Sequence, residues 1–230
     1  MKKYLSAFGL GVIVSGMYIS PALFGWGFDD LPGFFANPAR LGYVTYMILG
    51  LFLSILQAQA IPKGGIGEKG VANNTTRRQQ MVWMIARPLI ILVLIAMPFC
   101  DRRSLLTMTE IPALRLFGLA MLVCGSLFII WTGIELGRQY SVYITLQKIP
   151  KLVTSGPYRF IRHPRYLGVM VVALGLSLIF RAWIGIASAP LLLIILIFRL
   201  TDEEKLLHGA FGDEWVAYTR RTWQLIPYIY

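Results

Sequence analysis

The chain has 230 residues, is 57% hydrophobic and only 14% charged, and carries 22 lysines and arginines against 11 aspartates and glutamates, a formal net charge of +11. Its apolar residues fall in blocks about twenty long, the length that crosses the hydrocarbon core of a bilayer. That pattern excludes a soluble globular domain, and it turns the basic excess, which in a soluble chain points to nucleic acid, into a statement about membrane topology.

Four spans are read in chain order: Leu5 to Phe24, Leu41 to Ala60, Met81 to Phe99, and Ala113 to Glu135. The opening "MKK" precedes a run too long for a signal peptide and without an A-x-A-like cleavage site, so it is kept as the first span. The loop "IPKGGIGEKGVANN" only superficially resembles a phosphate-cradling loop, because Glu68 stands where the motif needs glycine and no Ser or Thr follows Lys69. Gly9, Gly11, Gly16, Gly118, Gly125 and Gly133 are small residues on membrane helices, whose role is close backbone packing. Cys100 and Cys124 have no metal-site spacing. Leu167 to Leu200 is long enough for two spans and is broken near Arg181, which makes a helical hairpin and a total of six spans.

With the amino terminus cytoplasmic, sixteen basic residues fall inside and five outside (Arg40, Arg102, Arg103, Arg115 and Arg181), while Arg87 lies within a span. The positive-inside rule supports that orientation. Arg87, near a span end, suits a side chain that snorkels to the headgroups or one that lines an interior cavity. After Arg199, Leu207, Phe211, Trp215, Tyr218 and Thr222 recur at helical spacing, the pattern of an amphipathic helix at the membrane surface that Pro227 stops.

Two clusters carry the chemistry. "TSGPYRFIRHPRYLG", residues 154 to 168, enters span five from the longest cytoplasmic loop, with Gly156 and Pro157 favouring a turn and Pro164 holding His163 extended. Arg159, Arg162 and Arg165 suit phosphate anchors and Tyr158 and Tyr166 an interfacial belt, but headgroup anchoring asks nothing of His163. After span six, Arg199 and Glu203 share a helix face and Glu204 follows. A hairpin brings its two ends together, so these clusters face each other.

From Leu152 onward, "LVTSGPYRFIRHPRYLG", "RLTDEE", "FGDEWVAYTRR" and "LIPYI", with "LGRQYS" before them, resemble the isoprenylcysteine carboxyl methyltransferase family and the related phospholipid methyltransferases. The resemblance implies an all-α polytopic membrane bundle with a C-terminal hairpin and an interfacial C-terminal helix. It implies an enzyme that uses S-adenosyl-L-methionine at a cytoplasm-facing site. Residues 1–130 become the helices facing lipid and acceptor, and 131–230 the methyltransferase core. The family's cofactor contacts fall on Lys151, Leu152, Val153, Tyr158, His163, Pro164, Arg165, Tyr166, Glu203 and Glu204. Arg199 matches the arginine assigned to substrate, which with Glu203 forms the catalytic pair. Where the family often has a histidine, two residues before Leu152, this chain has Pro150.

The implied partners are membrane lipids and a lipid-like acceptor, with neither nucleic acid nor metal. Two other classes share part of the pattern: an NADPH-dependent reductase of the sterol reductase type, which the ending "WQLIPYIY" also resembles, and a membrane scaffold or lipid-binding protein. The acidic pair after Arg199 and the proline-rich "GPYRFIRHPRY" favour methyl transfer. The charge count predicts that single cysteines at Lys148 and Arg102, in a chain lacking Cys100 and Cys124, label from opposite sides of the membrane. Labelling from one side overturns the six-span topology.

Overall fold

The computed structural model describes residues 16, 18–60, 77–139 and 151–228, with backbone alone at 51–60, 77–80 and 138. Residues 18–26 form helix α1. A 3-10 turn and short α2 (Leu31–Phe35) follow, then α3 (Pro38–Ala60), α4 (Arg77–Arg103), α5 (Pro112–Leu136), α6 (Pro164–Ile179), α7 (Trp183–Phe211) and α8 (Asp213–Thr219). Among the described residues, three helices are long and apolar enough to cross a membrane: Met81–Arg103, Pro112–Leu136 and Trp183–Phe211. Shorter, apolar α6 has 16 residues, which at 1.5 Å per residue covers about 24 Å. Most of the first expected span, the Glu68 and Lys69 loop, Lys148 and Pro150 lie outside the described residues.

The hairpin breaks where a charge interrupts the apolar run. Arg181 stands at φ +48 between α6 and α7, a conformation costing a side-chain-bearing residue about 1–2 kcal/mol. Its carbonyl accepts from Met108 N–H at 2.7 Å, and Trp183 N–H donates to Leu106 O at 3.0 Å, so the turn is sewn to the α4–α5 connection. The amphipathic stretch after Arg199 is divided differently from its sequence pattern. Nothing in "TDEEKLLH" breaks a helix, so α7 runs on to Phe211; Gly212, at φ +50, ends it and α8 starts afresh. Trp215 and Tyr218 of α8 are buried.

Among the described helices α5 and α6 form the closest-packed pair, and glycine makes this possible. A methyl group on Gly175 would lie 2.7 Å from Gly118 O and 2.8 Å from Leu122 N; one on Gly125 would lie 3.1 Å from Gly168 O. Two backbones touch at two levels, the approach that small residues allow between membrane helices.

At one end of the bundle sits Asp101, whose side chain is fully buried. Oδ2 accepts from Arg40 Nη1 and Arg115 Nη1, each at 2.8 Å; Oδ1 accepts from Arg115 Nη2 at 2.8 Å and Arg181 Nε at 2.9 Å. Glu110 supplies a second carboxylate to Arg115 and Arg181, and Arg40 also donates to Gly33 O and Phe34 O. Four of the five arginines assigned to the outer side thus bind within this end: the fourth, Arg102, donates to Trp26 O and holds Asp29, lowering its carboxyl pKa to about 2.

The glycine contacts predict a contrast. Gly175→Leu forces α5 and α6 apart and sharply lowers the yield of folded, detergent-soluble protein. Gly209→Ala, in open space on α7, keeps the yield and raises the melting point by the equivalent of roughly 0.5–1 kcal/mol. Equal behaviour of the two variants refutes the close-packed crossing.

Candidate functional site

The segment entering α6 is folded by three local constraints. Gly156 stands at φ +55, and a Cβ there would lie 2.8 Å from Glu135 Cδ. Glu135, at the end of α5, also accepts from Ser155 Oγ. Residues Gly156–Arg159 make a 3-10 turn that buries Pro157 and Tyr158. Pro164 then opens α6 at its first position, where no backbone donor is needed.

The chain next pairs with its own C-terminal segment. Arg162 N–H donates to Trp223 O at 2.8 Å, His163 N–H to Gln224 O at 3.1 Å, and Trp223 N–H to Phe160 O at 2.9 Å. Tyr218 Oη donates to Tyr158 O at 2.6 Å. Arg162 Nη1 donates to the carbonyls of Thr219 and Thr222, at 3.1 and 2.7 Å, and Nε to Glu204 Oε1 at 2.9 Å. Arg162 therefore turns inward and ties α7, α8 and the C-terminal segment to the start of α6, in place of the headgroup role its position suggests.

Two polar chains cross from α6 to α7. In the first, buried His163 sets Nε2 3.2 Å from Glu204 Oε1, sharing that oxygen with Arg162. In the second, Arg199 Nε donates to Tyr166 Oη at 2.6 Å, and Tyr166 Oη donates to Glu203 Oε2 at 2.7 Å. The tyrosine hydroxyl thus bridges the arginine and carboxylate that sequence spacing places on one face of α7. The rings of His163 and Tyr166 lie 5.9 Å apart. Burial, and after it the charge of Glu203, raises the Tyr158 hydroxyl well above the ordinary tyrosine range, with Arg165 acting in the opposite sense.

Tyr158, His163, Pro164, Arg165, Tyr166, Arg199, Glu203 and Glu204 are accordingly gathered at one end of the α6–α7 pair. Lys151 is held towards α5, its N–H donating to Gln139 Oε1 at 3.2 Å, with half-buried Leu152 and Val153 following. Across Glu204, an open cleft of about 520 Å³ is lined by Thr201, Lys205, His208, Trp215 and Gln224. Three contributors carry no sequence signal for this site: Thr132 of α5, fully buried and hydrogen-bonded to the Tyr158 hydroxyl; Glu135; and Trp83 of α4, whose ring lies 5.3 Å from Arg199 Cζ. Only contact across the fold reveals them.

Residues 114–214 match the family model described as phospholipid methyltransferase. Protein-S-isoprenylcysteine O-methyltransferase B of Arabidopsis thaliana is 30% identical over 116 residues, covering 49% of this chain and 59% of that protein. Protein-S-isoprenylcysteine O-methyltransferase of Schizosaccharomyces pombe is 32% identical over 104 residues, 42% of each. The chain thus spans 59% and 42% of the length of these curated relatives, less than two thirds of either. Among solved structures, the eukaryotic intramembrane Ras methyltransferase ICMT (isoprenylcysteine carboxyl methyltransferase) superposes with a TM-score of 0.55 at 19% identity, over 84% of this chain and 69% of that one. It shares the fold.

The clasp around Arg162 makes its own prediction. Arg162→Gln removes the charge-assisted bonds to Glu204 and two carbonyls, each contributing about 1.5–3 kcal/mol. Hydrogen exchange at the Trp223 amide then accelerates while α5 and α6 stay protected. Unchanged exchange at Trp223 shows that the backbone ladder holds without the guanidinium.

Proposed function

We propose that this chain belongs to the isoprenylcysteine carboxyl methyltransferase and phospholipid methyltransferase family and is an integral membrane methyltransferase that uses S-adenosyl-L-methionine and acts on a lipid-like acceptor. The observation that carries this reading is the Arg199–Tyr166–Glu203 chain. It joins the two clusters that bear the family's motifs, 33 to 37 residues apart in sequence, at one end of the bundle.

The donor set fits the cofactor. Glu203, half-buried and bonded by Tyr166 at one oxygen, has acceptor capacity left on its carboxylate for an ammonium group. Tyr158, His163, Pro164, Arg165 and Tyr166 line the approach to it, and Leu152 and Val153 offer apolar contact. When bound, S-adenosyl-L-methionine supplies a methyl group already activated on a sulfonium, so the chain's work is positioning. Tyr166 orients both neighbours: donating to Glu203, it fixes the carboxylate, and accepting from Arg199 Nε, it fixes the plane of a guanidinium whose fork suits an acceptor carboxylate or phosphate. His163, held by Glu204, fixes the start of α6.

The charge distribution orients the site towards the cytoplasm, in the cell inner membrane of a prokaryote or the endoplasmic reticulum of a eukaryote. Residues 1–130 serve the acceptor and lipid side and 131–230 the methyl-transfer core, the two sharing α5.

Two substitutions test the assignment. Glu203→Gln weakens S-adenosylhomocysteine binding by one to two decades, the equivalent of about 1.5–3 kcal/mol for a hydrogen bond to a charged group, with the fold retained. An unchanged dissociation constant places Glu203 outside the cofactor pocket. Arg199→Lys keeps the charge and the cofactor affinity, while single-turnover methyl transfer falls, because lysine lacks the planar fork. Normal turnover removes Arg199 from the acceptor site.

A further inference from the structure

The backbone ladder that closes the C-terminal segment onto the entrance of α6 also assembles an outward surface. Trp223 N–H donates to Phe160 O at 2.9 Å and Arg162 N–H to Trp223 O at 2.8 Å, which joins two segments far apart in sequence. Phe160 is 62% exposed, Trp223 42% and Tyr228 87%, and the rings of Trp223 and Tyr228 lie 5.1 Å apart. Arg159 Cζ stands 5.8 Å from the centroid of the Phe160 ring. Arg159 is exposed, as are Arg220 and Arg221, which follow α8. Among the described residues no carboxylate forms an ion pair with any of these three arginines. Asp213 and Glu214 stand in the first turn of α8, about 10 Å along the helix from its last.

This surface lies at the depth of lipid headgroups. α6 opens at Pro164 and covers about 24 Å from there to the Arg181 turn, so the residues just before it sit at the edge of a hydrocarbon core about 30 Å thick. α7 covers the same distance by Arg199 and continues to Phe211, about 18 Å further, so α8 and the C-terminal segment return to that edge from the water side. Aromatic rings favour the interface and arginines its phosphates. Arg162, which the sequence pattern assigns to a phosphate, is turned inward, and Arg220 and Arg221 present guanidinium groups outside the ladder in its place.

We propose that Arg159, Phe160, Arg220, Arg221, Trp223 and Tyr228 form a docking surface for anionic phospholipid, and that the bound headgroups hold the C-terminal segment against the entrance of α6. The surface is whole only while the ladder is closed, because each segment brings part of the charge and part of the aromatic area. Anionic lipid therefore binds the closed form in preference and shifts the ladder towards it by mass action. The closed ladder supplies the Thr219 and Thr222 carbonyls to Arg162 and the Gln224 carbonyl to the His163 N–H. The lipid composition of the leaflet thus sets the fraction of chains in which that entrance is fixed. Nothing in this device depends on methyl transfer.

The experiment places the full chain in nanodiscs of phosphatidylcholine, alone or mixed with phosphatidylglycerol, and reads hydrogen exchange at the Arg162, His163 and Trp223 amides. Each arginine favours an anionic surface by roughly fivefold. The mixed bilayer accordingly slows exchange at these amides by about ten- to a hundredfold, while α5 and α6 exchange as before. Replacing Arg159, Arg220 and Arg221 together by glutamine abolishes the slowing, and replacing all three by lysine keeps it, since the charge is retained. Arg221→Gln alone, a single change at an exposed position, loses about fivefold of it. Equal exchange in the two bilayers overturns the proposal, as does a glutamine variant that responds like wild type. Slowing to the same extent by inorganic phosphate added to phosphatidylcholine nanodiscs overturns it too, by making the arginines a site for a free anion. Slowing that spreads equally through α5 and α6 refutes a local effect on the ladder.

Discussion

A carboxylate without exposed surface governs this bundle. Asp101 is surrounded by Arg40, Arg115 and Arg181, one each from α3, α5 and the α6–α7 turn. Removing one partner from a buried ion cluster of this kind costs about 3–5 kcal/mol, because the remaining charges have no water to turn to. Four chain segments therefore have one permitted register at that end. The opposite end, where the polar chains from α6 to α7 lie, inherits its alignment from this cluster. Arg181 accepts a left-handed backbone to keep its place in it.

Between the two ends the coupling is steric. The glycine contacts of α5 and α6 bring backbone against backbone, so a shift along one helix cannot be absorbed by side-chain rotation. Thr132 and Glu135 lie on the same α5, each about four turns beyond Gly118 and Leu122 respectively, and reach Tyr158 and Ser155. The turn that leads into α6 is thus placed by a helix whose own position is set twice over, by the ion cluster and by the glycines.

Much of this was legible in the chain. The hairpin and its break at Arg181 follow from a charge interrupting an apolar run, and the convergence of residues 158–166 with Arg199, Glu203 and Glu204 follows from the hairpin itself. The basic residues of the Asp101 end were visible as a group, but their common partner was not: the charge rule counts lysine and arginine and passes over an aspartate such as Asp101. Arg162 had the sequence surroundings of a headgroup anchor, and only the return of the C-terminal segment gives it inward partners. Trp83 is separated from Arg199 by more than a hundred residues, a distance across which no periodicity carries information. Gly212 sat inside a regular apolar pattern, and its left-handed backbone is what divides that pattern into two helices.

The backbone ladder between 160–163 and 223–224 bears on how the protein is made. Every helix that carries a motif residue emerges from the ribosome before Trp223 does, so the bundle enters the membrane with the seat of Arg162 still missing. A nascent chain halted ahead of residue 219 has its transmembrane helices and its Glu203, but lacks the carbonyls that draw Arg162 inward. The clasp around Arg162 is thereby closed only by the last stretch of synthesis.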